Sequence, residues 1–293
     1  NVIDFAWFTS PAFRHEKYTG VVAGQNKVDL NVYYDPRDSV LWSKAGVYAA
    51  RALEFYSDWL GAYPYQQMSV VSAPLSAGGG MEYPMVAQIG YMEDSASLDL
   101  VIAHEIGHTW LYGILANNER AHPWMDEGLN SFIEAQYTAK YQPAYREAYL
   151  PREYTTRASM DQVDALQHAL HFSNTLQPPA TSPESQQQAQ YFFSAYTMPA
   201  QGLQMMMGME GEEVMKKMFR QYFADHQFSH VTPAHLSNSF EQAGDCDLSW
   251  YVDGWIHHAH EIDYRISHFD REKKEVTFVN HGPADIPLRF NTY

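Results

Sequence analysis

Cysteine is nearly absent. The 293-residue chain has one, Cys246, which excludes an intrachain disulfide and any cysteine-rich zinc centre. It reads as an inert, half-buried thiol in a helix-start loop. Positive charge is scarce too: 19 Lys plus Arg stand against 35 Asp plus Glu, a formal net charge of −16. A phosphate backbone repels such a chain, so no nucleic acid is expected as a partner. No stretch approaches the roughly 18–20 uninterrupted apolar residues of a membrane span, so no transmembrane segment is expected. There is no internal repeat, and the one biased tract, Gln186-Gln187-Gln188, is short. The chain starts at Asn1 with neither a Met nor a charged-then-apolar leader, and reads as a processed protein or a cut piece.

What is present is a core. Hydrophobic residues make up 45%, aromatics 15% and charged residues only 18%, which is not the composition of a disordered chain. The length suits one large domain or two modest ones. The segment Lys27-Val28-Asp29-Leu30-Asn31-Val32-Tyr33 alternates as a half-buried strand, and Met68 to Ala73 and Val86 to Gly90 are short strand candidates. Val40 to Leu60 has helical spacing, stopped by Gly61 and Pro64. Helices are expected near 97–115, 127–141, 144–170, 188–207, 211–226, 233–242 and 247–258, with a Pro/Ser-rich loop from Gln177 to Pro183. Strands return at Tyr264 to Ile266 and Glu275 to Val279. Strands, then many helices, then strands describe an α+β catalytic unit between two incomplete β segments.

The fourteen histidines are where chemistry is to be sought. His104-Glu105-Ile106-Gly107-His108 puts two imidazoles one helical turn apart on one face, a spacing that can bind one Zn²⁺. Glu105 points away from His104 and can act on water without ligating the metal. Eighteen residues separate His108 from Glu127, which stands in Asp126-Glu127-Gly128. That interval lets the first helix finish and an antiparallel helix return. Two His and one Glu leave a fourth tetrahedral position open, as in catalytic zinc sites. Glu134, two turns beyond Glu127, either orients a ligand imidazole through its free N–H or is a plain surface carboxylate.

Other clusters carry less. His257-His258-x-His260-Glu261 points to several sides of a helix and reads as a solvated helix end. His226, His230 and His235 suggest no ligand face, and Met205-Met206-Met207 reads as core filler.

With these motifs in hand, the sequence resembles the zinc aminopeptidases of the membrane-alanyl-aminopeptidase and leukotriene-hydrolase type. The zinc signature continues as His108-Thr109-Trp110. Gly79-Gly80-Met81-Glu82-Tyr83 is similar to the family's G-x-M-E-N exopeptidase motif. Tyr196, in Tyr-Thr-Met-Pro-Ala, corresponds to the family's tyrosine after the zinc helices. The likeness covers about residues 1–260.

The resemblance implies a thermolysin-like catalytic domain, with a small mixed sheet and a mostly helical half, over 38–261. It also implies the end of a β domain over 1–37 and the start of another over 262–293, with the flanking domains of a longer parent missing. It implies one zinc ion on His104, His108 and Glu127, Glu105 as general base, Tyr196 as donor to the oxyanion, and Glu82 as partner of a substrate α-ammonium. Gly79, Gly80 and Met81 would lie along the substrate backbone. The expected substrates are peptides with a free N-terminus. Similar bacterial proteins are often exported, which leans toward an extracytoplasmic location.

Two departures stand out: Tyr83 replaces the family's Asn, and Met198 replaces its usual Lys. A thermolysin-like endopeptidase and a catalytically idle peptide-binding relative stay open as alternatives.

Overall fold

From Val28 on, every second residue of the strand Asn26–Tyr34 is apolar, and in the computed structural model Val28, Leu30, Val32 and Tyr34 are all buried. The structure describes residues 2–22, 26–76, 79–143, 176–258, 263–282 and 286–287. The helix expected over 144–170 lies outside them.

Strands β1 (Arg14–Val22), β2 (Asn26–Tyr34), β3 (Gln67–Ser72), β4 (Gly80–Met81) and β5 (Val86–Ile89) form one mixed sheet in the order β1-β2-β3-β5-β4. β2, β3 and β5 are parallel neighbours, while the two outer strands run antiparallel. The sheet therefore crosses the boundary expected at residue 37, because β2 pairs directly with β3 from Asp29 opposite Gln67 to Tyr33 opposite Val71. A parallel pair needs a crossover, and helix α1 (Ala45–Leu60) supplies it. Its buried stripe includes Tyr48, Ala52, Phe55, Tyr56 and Trp59. Gly61, with φ +133°, ends the helix, and its N–H bonds Ser57 O at 3.0 Å.

Helix α2 (Ser95–His108) starts on Asp94, whose side chain accepts from the N–H groups of Ala96 and Ser97 at 2.8 Å each. It runs on as a wider, π-type turn over Thr109–Ile114. After a loop, a second π-type turn (Trp124–Gly128) leads into α3 (Leu129–Tyr141). Gly107 packs directly against side chains of α1 and α3. A Cβ there would lie 2.1 Å from Asn130 Oδ1 and 2.4 Å from the Tyr56 ring, so no side chain fits.

A third π-type turn (Phe192–Thr197) opens α4 (Met198–Glu210), followed by α5 (Glu212–His226), α6 (Pro233–Gly244) and a fourth π-type stretch (Trp250–Ile256). Aromatic rings join the helical half. Trp59 meets Phe132 edge-on at 5.7 Å, Phe132 stacks on Phe219 at 5.6 Å, and Phe219 meets Phe240 at 5.0 Å. A separate hairpin, β6 (Tyr264–Asp270) with β7 (Glu275–Asn280), follows. Among the described residues no helix is long and apolar enough to cross a membrane.

Candidate zinc site

The two imidazoles converge as their spacing requires. His104 Nε2 and His108 Nε2 are 3.0 Å apart, and Glu127 Oε2 lies 3.2 Å from each. Each ring is fixed from behind. Glu134 Oε2 lies 2.9 Å from His104 Nδ1, and Asp126 Oδ1 lies 2.5 Å from His108 Nδ1. An ionised carboxylate only accepts, so each Nδ1 carries the proton and each neutral ring turns a lone pair inward at Nε2.

Three lone-pair atoms thus face one another, and that arrangement asks for a cation. Four tetrahedral ligands about 2.0–2.1 Å from zinc would be about 3.3 Å apart, close to the separations seen here. The donor set fits zinc. Without an ion, the same carboxylates draw a proton onto the rings, and a metal at Nε2 would displace it. Burial opposes charge on His104, yet the Glu127 and Glu134 carboxylates outweigh it and raise its pKa to about 10. Burial also opposes ionisation of Glu127, but His108 and His104 hold its carboxyl well below the ordinary range.

Glu105 follows His104 on α2 and lies close enough to both imidazoles and to Glu82 to feel their charges. Burial raises its pKa to about 7, and its Oε2 is buried with no hydrogen-bond partner among the described residues. Its carboxyl sits over Gly80, where a Cβ would come 2.4 Å from Oε1. Only glycine allows that approach. Gly79 O accepts from Gly90 N at 2.8 Å, tying β4 to the end of β5. Gly80 and Met81 form the outer strand at one end of the sheet, and among the described residues no strand pairs with its far edge. Glu82 follows directly and is 9% exposed.

Tyr196, from the turn before α4, donates to Glu127 Oε1 at 2.6 Å and stacks near His104 at 6.1 Å. His104, His108, Glu127 and Tyr196 are thus in direct contact, Glu105 reaches Gly80, Glu82 lies near Asp126, and Gly79 and Met81 flank Gly80 in the chain. Tyr83 is half-buried, with its ring 6.2 Å from Phe8. Met198 is buried, and its carbonyl accepts from Trp255 Nε1 at 2.5 Å.

Sequence reasoning assigned no role to several neighbours. Asp126 holds His108. Asn130 donates to His104 O at 2.8 Å and accepts from Tyr56 Oη at 2.8 Å. Glu119, on the loop between the zinc helices, joins Glu82 and Asp126, one carboxylate oxygen of each within 4.8 Å of the others. Burial, then the charges of Glu82 and Glu127, raises the Glu119 pKa. A recess of about 440 Å³ beside Glu127 is lined by Glu119, Arg120, Gln186, Gln188 and Tyr191 among others. An acidic residue directly before a ligand Glu was the available signal for Asp126.

The remaining histidines stand elsewhere. His226 Nε2 is 3.0 Å from Ser239 Oγ, His230 Nδ1 is 3.0 Å from Ala116 O, and His235 caps α6 at Thr232. His257 and His258 are exposed, while His260 and Glu261 lie outside the described residues. Met206 is core, and Met205 and Met207 pack against it. Cys246 is a half-buried free thiol whose pKa burial raises.

Comparison with known proteins identifies the family. The peptidase family M1 domain matches residues 47–255. Aminopeptidase N of Lactobacillus helveticus is 22% identical over 222 residues, covering 71% of this chain and 26% of the relative. Aminopeptidase A of Legionella pneumophila, solved with aspartic acid, superposes with a TM-score of 0.68 over 92% of this chain and 31% of that one, at 16% identity. The M1 zinc metallopeptidase of Deinococcus radiodurans gives a TM-score of 0.62 at 17% identity, over 84% of this chain and 52% of that one. The chain spans about a quarter of the length of the curated relatives it matches.

Proposed function

Because the chain belongs to peptidase family M1, we propose that it is a zinc-dependent aminopeptidase that removes the first residue from peptides with a free α-amine. The observation that supports this most directly is the convergence of His104 Nε2, His108 Nε2 and Glu127 Oε2 within 3.2 Å of one another. These three residues would hold one zinc ion. When bound, zinc supplies Lewis acidity, stabilising charge on a carbonyl oxygen and lowering the pKa of water to about 7.

The protein's own groups divide the remaining work. Glu105 accepts the proton of the attacking water and returns it to the leaving amine. Tyr196 donates its hydroxyl to the oxyanion, a contribution of about 2.7–4 kcal/mol for one such donor. The free edge of Gly80-Met81, with Gly79 before it, takes the substrate backbone as an added strand. Glu82 pairs with the α-ammonium. A peptide without that cation leaves a buried carboxylate unpaired, which disfavours internal bonds.

The test is zinc content measured together with hydrolysis of free and N-acetylated aminoacyl p-nitroanilides. The expected result is bound zinc and hydrolysis of free-amine substrates alone. Glu105→Gln keeps its zinc and loses nearly all turnover. Equal rates on blocked and free substrates would point instead to an endopeptidase, and bound zinc without turnover on either would point to an idle relative.

A further inference from the structure

The site holds more acid than the ligand set and one amine anchor require. Glu82, Glu119 and Asp126 each bring a carboxylate oxygen within 4.8 Å of the other two. Asp126 has a partner in His108. Glu82 is nine-tenths buried and makes no hydrogen bond or ion pair with any described residue. Glu119 is half-buried beside it, on the loop after the π-type turn Thr109–Ile114, outside every motif of the sequence. Carboxylates this close repel each other unless a cation lies between them. A primary ammonium carries three N–H donors, and one carboxylate does not engage all three.

We propose that Glu119 is a second carboxylate of the amine subsite, so that the substrate α-ammonium is gripped between Glu82 and Glu119. This rests on the aminopeptidase reading and deepens it. The catalytic domain then supplies both acidic partners of the amine. Glu119 acts as a specificity residue that tells an amine from an isosteric hydroxyl.

The experiment uses the zinc-loaded chain with two substrates, L-alanine p-nitroanilide and L-lactoyl p-nitroanilide, which has hydroxyl in place of ammonium. Glu119→Gln is expected to lower the preference for the amine at least about tenfold, the range of a hydrogen bond to a charged group. It should raise KM for the alanine substrate more than it lowers kcat. Glu119→Asp should restore part of the preference, and near-UV circular dichroism of both variants should match the parent. An unchanged preference in Glu119→Gln, or equal losses on both substrates, would overturn the proposal. Collapse of the preference in Glu82→Gln alone would leave the aminopeptidase reading standing and remove Glu119 from it. A parent protein indifferent to the amine would end both. If calcium or magnesium were needed for the preference to appear, the cluster would be a second metal site instead.

Discussion

Asp126 Oδ1 lies 2.5 Å from Nδ1 of His108, and both side chains are almost wholly buried. The contact fixes the tautomer that turns the other ring nitrogen toward Glu127. It also couples two neighbouring residues to the proposed metal position: Glu127 as the proposed ligand, and Asp126 as the group that orients His108.

Asp126→Asn keeps the size and removes the charge. Zinc affinity is expected to fall about 10–100-fold, the usual cost of losing such a partner. Competition with a chromophoric chelator measures it. Unaltered affinity would mean that the carboxylate has no hold on the ring.

Gly80→Ala places a methyl group where the Glu105 carboxyl now lies. A misplacement of about 1 Å at a reacting group costs roughly 100-fold in rate, so kcat should drop by that order while zinc content stays at the parent's level. Full turnover in this variant would show that the close approach is not needed.

Phe219 is fully buried and meets Trp59, Phe132 and Phe240. Phe219→Ala should destabilise the protein by about 3–5 kcal/mol through lost burial and a residual cavity. Denaturant unfolding reads this directly. A loss under about 1 kcal/mol would show that the helical half does not depend on this stack.

Asp94 caps α2, the helix that carries both histidines. The backbone N–H of Ser97 is the largest of the hydrogen-bonding influences that hold its carboxyl below the ordinary range. A lowered folded pKa means that the stabilisation is complete above the unfolded value, about 3.9, and is lost as pH falls through the folded value. Asp94→Ala should therefore cost about 1 kcal/mol at pH 7, with the difference from the parent shrinking below about pH 4. A pH-independent difference would remove the charge from the explanation.

Parts of this were legible in the sequence for physical reasons. The i, i+4 spacing of His104 and His108 dictates a shared helix face, and the interval to Glu127 allows an antiparallel return. The alternation at Val28, Leu30 and Val32 marks a strand, but alternation does not say which strand it pairs with. The junction of β2 with β3 across residue 37 was therefore hidden. The π-type turns that carry Glu127 and Tyr196 leave no periodic signature, since one extra residue in a turn is not a pattern. Tyr196 stood out from 21 tyrosines only through resemblance. Glu119 was unreadable because it stands on a loop, where no periodicity marks which way a side chain faces.

The most direct test is elemental analysis of zinc in the purified, dialysed chain beside Glu127→Ala. One zinc per parent chain and its loss from the variant are the expected result. A variant that keeps a full equivalent, or a parent that takes up none after incubation with zinc, would contradict the assignment of His104, His108 and Glu127 as a metal site.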